Sequence, residues 1–265
     1  MKGYAVMEKT FKIIDSHAHY DDESFENDRK EVLEEIQKNG VIGVLNCAAS
    51  YDSLKTTYEL TKDYDFIYGA LGIHPENADE FTDNTLDEIK DYIKSNEKIV
   101  AIGEIGLDYY WDENPSKEIQ KEVFRKHMEL AKELKLPVII HDRDAHQDTL
   151  EIIKEFPDVT GVVHCFSGSV EFAKDCIKLG YYIGFTGVVT FKNAKKVIEV
   201  AKQIPLDRML VETDCPYMAP EPNRGKRNKS DYIEYIIKKL SIIREIDPYQ
   251  LNMKFNENFY NLIKE

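Results

Sequence analysis

The amino-acid sequence predicts an α/β fold, a single (β/α)₈ TIM barrel with an additional C-terminal helix. Three observations predict it. Eight short β-branched runs each precede a longer amphipathic, charged stretch. The 265 residues match the roughly 250 typical of such a barrel. No GxGxxG follows the first run, which argues against a doubly wound open sheet.

The runs and stretches alternate in order. FKIID (11–15) leads to a helix-like segment near 24–39, and VIGVLNCAA (41–49) to one at 51–63. FIYGALGI (66–73) precedes 85–95, and KIVAIGE (98–104) precedes 117–135. The last of these, KEIQKEVFRKHMELAKELK, spaces its apolar residues as a helix does and stops just before Pro137. PVIIH (137–141), TGVVHCF (160–166), YYIGFTG (181–187) and RMLVETD (208–214) then alternate with segments near 145–155, 169–179, 193–203 and 231–244. Ser230 is placed to N-cap the last of these, and 248–264 reads as an added helix. No Pro/Ser-rich linker or compositional step divides the chain. Residues 11–265 therefore read as one barrel domain behind an N-terminal extension, 1–10, in which Met7 is an alternative start.

Composition narrows the function classes. Hydrophobic residues make up 42% and charged residues 32%, an ordinary globular balance. No apolar run approaches the roughly 20 residues of a membrane span, and the first residues lack the apolar core of a secretion signal. The four cysteines, Cys47, Cys165, Cys176 and Cys215, lie far apart and read as reduced thiols of a cytoplasmic protein. No membrane partner is expected, and a monomer is favoured. A formal charge of −14 argues against broad adhesion to nucleic acid. A polyanionic substrate would need metal ions or a local basic patch to meet it.

The chemistry lies where the runs end. The first closes on Asp15-Ser16-His17-Ala18-His19, the third on His74-Pro75 and the fourth on Glu104. The fifth closes on His141-Asp142, the sixth on His164 and the eighth on Glu212-Thr213-Asp214. Barrel strands converge at their C-terminal ends, so residues far apart in sequence share one pocket. Imidazoles and carboxylates together suit zinc and are tolerated by manganese. His17 and His19, two apart on an extended strand, face the same way and are placed to grip one metal. Five of the seven histidines stand at strand ends; His127 and His146 fall in helix-like stretches and read as surface residues.

The ordered motifs DSHAH, GIHPE, IGEIGLDYYW, IIHDRDA, HCFSGS and ETDCPYMAPEPNRGKRN resemble those of the TatD-type metal-dependent deoxyribonucleases, an amidohydrolase-like group. The resemblance runs from about residue 11 to the closing NENFYNLI. It implies a site with two divalent metal ions, whether Mg, Mn or Zn. His17, His19 and Asp214 would hold one ion, His141 and His164 the other, and Glu104 would bridge them. Asp214 is then the general base, and His74 donates to a substrate phosphate.

The run Arg224-Gly225-Lys226-Arg227-Asn228-Lys229 brings four positive charges close behind the eighth strand. Arg224 and Arg227 are candidates for clamping a phosphodiester backbone. Tyr109, Tyr110 and Trp111 follow the fourth strand and offer faces on which a base can stack. Strand alternation turns Cys165 and Cys215 away from the metals, so neither is read as a ligand or nucleophile.

The resemblance implies hydrolysis of DNA phosphodiesters, as a 3′→5′ exonuclease on single-stranded DNA. A second reading keeps the metals and changes the bond: a small-molecule amidohydrolase or esterase, or an aminoacyl-tRNA deacylase. A third is a non-catalytic metal or nucleic-acid binding protein. Glu104 stands where many amidohydrolases carry a carboxylated lysine, which favours the first reading.

Overall fold

In the computed structural model residues 11–264 are described; the N-terminal extension 1–10, with Met7, lies outside the described residues. The strands are β1 (Ile13–Ala18), β2 (Val41–Cys47), β3 (Ile67–Leu71), β4 (Ile99–Asp108), β5 (Val138–Arg143), β6 (Gly161–Val163), β7 (Tyr182–Phe185) and β8 (Met209–Val211). They form one parallel sheet in chain order. A parallel neighbour can be reached only by a crossover, and helices supply it. These are α1 (Arg29–Lys38), α2 (Tyr51–Asp63), α3 (Asp83–Ser95), α4 (Lys117–Leu134), α5 (His146–Glu155), α6 (Val170–Lys178), α7 (Lys195–Gln203) and α8 (Ile233–Arg244), with α9 (Pro248–Leu262) added at the end. The sheet closes between β8 and β1 through the Ala18–Cys215 bridge. Two backbone bonds support the seam, His19 N–H to the Cys215 carbonyl at 2.8 Å and Asp214 N–H to the His17 carbonyl at 2.9 Å.

Local chemistry explains why the helices start where they do. Ser50 and Ser53 form a reciprocal cap that opens α2 at its expected first residue. Ser116 caps α4 through the Ile119 N–H. Asp247 accepts from the Tyr249 and Gln250 N–H groups ahead of α9, with Pro248 in the first turn.

Three local expectations differ from the structure. β4 runs on to Asp108, four residues beyond the expected end. Ser230 does not cap the eighth helix, which begins at Ile233 behind Tyr232. Ser230 is buried, its hydroxyl donates to Asp15 Oδ2 at 2.6 Å, and Lys229 stands at the cap of the short turn there. His127 is no surface residue either. It is fully buried on α4, where Nδ1–H donates to the Val123 carbonyl one turn back at 2.9 Å.

The barrel interior takes one layer from every strand: Ile14, Leu45, Ala70, Ala101, Ile139, Val162, Tyr182 and Leu210. Phe259 and Leu262 of α9 complete this cluster. Asn252 of α9 donates to the Lys12 carbonyl and Asn258 to the Met209 carbonyl, at the strand beginnings. The added helix therefore plugs the N-terminal mouth of the barrel. Burying Phe259 there contributes roughly 1.5–3 kcal/mol. The opposite mouth, at the strand C-termini, is left for chemistry.

Candidate metal centre

Two irregularities aim the ligands. Strict alternation from Ile14 would turn His17 outward, and strict alternation from Ala101 would do the same to Glu104. The ladders shift register between Asp15 and Ala18 on β1, and between Ile102 and Ile105 on β4. Both side chains thereby face the mouth. Gly106 follows at φ +139°, paired with His141; a Cβ there would lie 2.0 Å from the His141 carbonyl oxygen. Only glycine lets β4 lie this close to a ligand strand.

The donors converge. His17 Nε2 and His19 Nε2 face one another at 3.0 Å. Glu104 Oε2 lies 3.2 Å from the first and 3.4 Å from the second. Asp214 Oδ1 stands 3.7 Å and 3.4 Å from the same two nitrogens. The other oxygen, Glu104 Oε1, lies 2.6 Å from His164 Nε2 and 3.0 Å from His141 Nδ1. One carboxylate thus sits between two histidine pairs, and all five partners are buried or nearly so.

The protons are arranged for cations. His19 Nδ1–H donates to the Cys47 carbonyl at 2.8 Å, which leaves Nε2 to ligate. Asp108 Oδ2 accepts from His141 Nε2–H at 3.0 Å and turns Nδ1 toward Glu104. Four lone-pair donors (His17, His19, Glu104, Asp214) aimed at one point form a set that a proton satisfies only pairwise. A divalent cation satisfies it whole.

Electrostatics agree. Burial and the neighbouring His164 push His17 down to about 4. Burial pulls His19 down in the same way, but the Asp214 hydrogen bond and the Glu104 charge outweigh it and carry His19 up to about 10. Glu104 is buried, yet the surrounding imidazoles hold it well below the ordinary carboxylate range. Burial also opposes ionisation of Asp214, but His19 and His164 hold it below its usual value. Both carboxylates are anions poised beside positive charge.

His74 stands at the wall of this cluster. Its Nδ1 accepts from the Glu76 N–H at 3.2 Å, so the proton sits on Nε2, 3.6 Å from Glu104 Oε1. Burial, with the charge of His141 nearby, pushes His74 down to about 3, so it is a neutral donor. Asp108 and Glu212 belong to the site but were not among the expected ligands. Glu212 is fully buried 3.7 Å from His164 Nδ1, and burial raises it to about 7.

The cleft above has a volume of about 1260 Å³. Tyr110 and Trp111 stand exposed on its rim, whereas the Tyr109 hydroxyl is tied to Asp148 at 2.7 Å. Cys165 reaches the cleft wall instead of turning away, at φ +42°, its thiol 3.6 Å from the Thr186 hydroxyl. Burial raises that thiol well above its ordinary value, which leaves it a poor nucleophile. Arg224 and Arg227 are not brought to the cleft lining. Arg227 binds Asp28 with two nitrogens, at 2.8 and 2.5 Å, and lies over Phe25; Arg224 lies over Phe191.

Comparison with known proteins places this arrangement. The sequence family described as TatD related DNase matches residues 14–264. The chain is 44% identical over 254 residues to the metal-dependent hydrolase YabD of Bacillus subtilis, covering 95% of this chain and 99% of that one. It is 36% identical over 255 residues to the metal-dependent hydrolase YcfH of Escherichia coli, with 94% and 95% covered. The crystal structure of YjjV, a TatD homolog of Escherichia coli, superposes with a TM-score of 0.90 at 30% identity, covering 97% of this chain and 100% of that chain.

Proposed function

The chain belongs to the TatD-related DNase family and is a metal-dependent hydrolase, and from that premise we propose that it hydrolyses DNA phosphodiesters at two divalent ions, shortening single strands from the 3′ end. One observation carries the reading: the two oxygens of Glu104 each face a separate histidine pair. That is the arrangement a two-ion site asks of a bridging carboxylate, with His17, His19 and Asp214 on one side and His141 and His164 on the other.

Ions bound there supply Lewis acidity toward the phosphoryl oxygen and lower the pKa of the attacking water. The chain's own groups do the rest. Asp214, ionised and partly open to the cleft, accepts the water's proton at a carboxylate oxygen. His74 donates Nε2–H to a non-bridging phosphate oxygen. Glu104 keeps its charge and shape throughout. Tyr110 and Trp111 offer faces for an unpaired base.

The cleft supports a polymeric substrate, since it exceeds the roughly 300–1,000 Å³ of small-ligand pockets. Arg224 has no carboxylate partner among the described residues and is assigned to a more distant phosphate. Arg227 is assigned the same role in exchange for Asp28; an exposed pair of that kind holds by only about 0–1 kcal/mol.

The test is a side-by-side assay. Protein stripped by chelator and reloaded with Mg²⁺, Mn²⁺ or Zn²⁺ is offered single-stranded DNA, aminoacyl-tRNA and small esters. Metal-dependent DNA cleavage is expected; hydrolysis of the esters alone overturns the nuclease reading in favour of the second one.

A further inference from the structure

We propose that Arg143 forms a second phosphate subsite beside the metal centre, which takes the phosphate next to the scissile one. The proposal rests on the phosphodiester reading above. Ile139, His141 and Arg143 are successive inward positions of β5: Ile139 lies in the barrel interior, and His141 and Arg143 line the cleft. With a rise of about 3.3 Å per residue, Arg143 stands one layer above the ligand and nearer the mouth. A strand whose scissile phosphate sits at the metal ligands must carry its neighbouring phosphate past that layer on one side.

The side chain is built to receive it. The guanidinium carbon lies 3.9 Å from the centre of the Tyr110 ring and 5.6 Å from that of Trp111. Those two rings meet edge to face at 4.7 Å. A guanidinium stacked by its face keeps its edge N–H groups open for a bidentate anion. Among the described residues no carboxylate is ion-paired to Arg143, although Glu76, Asp108, Asp142 and Asp144 line the same cleft. Arg125 and Arg227, by contrast, are each taken up by a carboxylate.

The platform is also tied to the metal centre. Asp108 accepts from His141 Nε2 with one oxygen and from the Tyr110 N–H with the other, at 3.0 and 2.9 Å. The Tyr109 N–H donates to the Arg143 carbonyl at 2.9 Å. One carboxylate therefore fixes both the ligand and the ring beneath the arginine. Arg143 thus selects an oligonucleotide over a lone phosphodiester.

Trp111 is the chain's single tryptophan, so its fluorescence reads the platform directly. The probes are dTpdT, with only the scissile phosphate, and pdTpdT and dTpdTp, each with one flanking phosphate. Phosphorothioate versions serve for binding to the metal-loaded protein, and the ordinary ones for kinetics. A flanking phosphate on at least one end is expected to tighten binding and lower KM about ten-fold, as one charge-assisted bidentate contact does. Arg143→Ala is expected to erase that gain while leaving dTpdT unchanged, which also shows that the variant folds. Arg143→Lys should recover only part of it. An undiminished gain in Arg143→Ala, or no gain from either end in the wild type, overturns the subsite. Arg143-dependent binding without hydrolysis of any probe would keep the subsite and remove the nuclease reading.

Discussion

Asp108 Oδ2 stands 3.0 Å from His141 Nε2, and this contact decides which nitrogen of His141 faces Glu104. Removing the acceptor charge frees the ring to change tautomer and turn. Asp108→Asn is expected to weaken metal binding about 10- to 100-fold while the chain stays folded. Titration with a metal indicator, alongside circular dichroism, checks this. Unchanged metal affinity would make the contact incidental.

Asp214 sits against both His17 and His19 yet keeps an exposed edge toward the cleft. Because a base acts on the water only as the transition state forms, Asp214→Asn should lower kcat by about 10²-fold or more with little change in KM. Steady-state kinetics at saturating metal separates the two. A raised KM with normal kcat would assign Asp214 to substrate binding.

These two residues show how differently the site could be read from sequence. Asp214 ends a plain β-branched run, and six of the eight runs closing on His, Glu or Asp already imply a shared mouth. The helices were legible for similar reasons: Ser50 and Ser53 mark the start of α2, and Pro137 marks the end of α4. Asp108 escapes a reading that ends the fourth run at Glu104, whereas β4 continues through Gly106 to Asp108. His127 was misread because its helix buries one flank against Phe81, 5.3 Å from ring to ring, a contact made by the loop before α3. The register shifts that aim His17 and Glu104 depend on partner strands, so no single run announces them.

The basic run behind β8 gives a prediction about salt. Arg224→Ala is expected to raise KM for a long single strand and to reduce the log–log salt slope by about one unit. Arg227→Ala should do likewise once the cost of its Asp28 pair is removed. Neither change should affect a dinucleotide, which has no distant phosphate. Measuring KM between low and high salt decides the matter; identical slopes would leave the run a solvated surface loop.

His127 predicts the acid limb of stability. Burial pushes it down to about 4, below its ordinary 6.5, and its Nε2 has no partner among the described residues. The unfolded chain therefore binds this proton first. Stability from this residue is fully present above pH 6.5 and is lost as pH falls toward 4. His127→Met should remove that loss, so its advantage over the wild type grows by about 3 kcal/mol across the window. Urea unfolding at several pH values reads it. A pH-independent difference would contradict the burial argument.

The central claim is that Glu104 is shared by two ions, and metal content per chain tests it most directly. Wild-type protein, stripped and reloaded with Mn²⁺ or Zn²⁺ and then desalted, is predicted to retain about two equivalents by elemental analysis. Glu104→Gln keeps the side chain's shape and removes its charge; it should retain at most one equivalent and lose turnover while staying folded. If Glu104→Gln holds as much metal as the wild type and turns over at the same rate, the shared-carboxylate site is wrong.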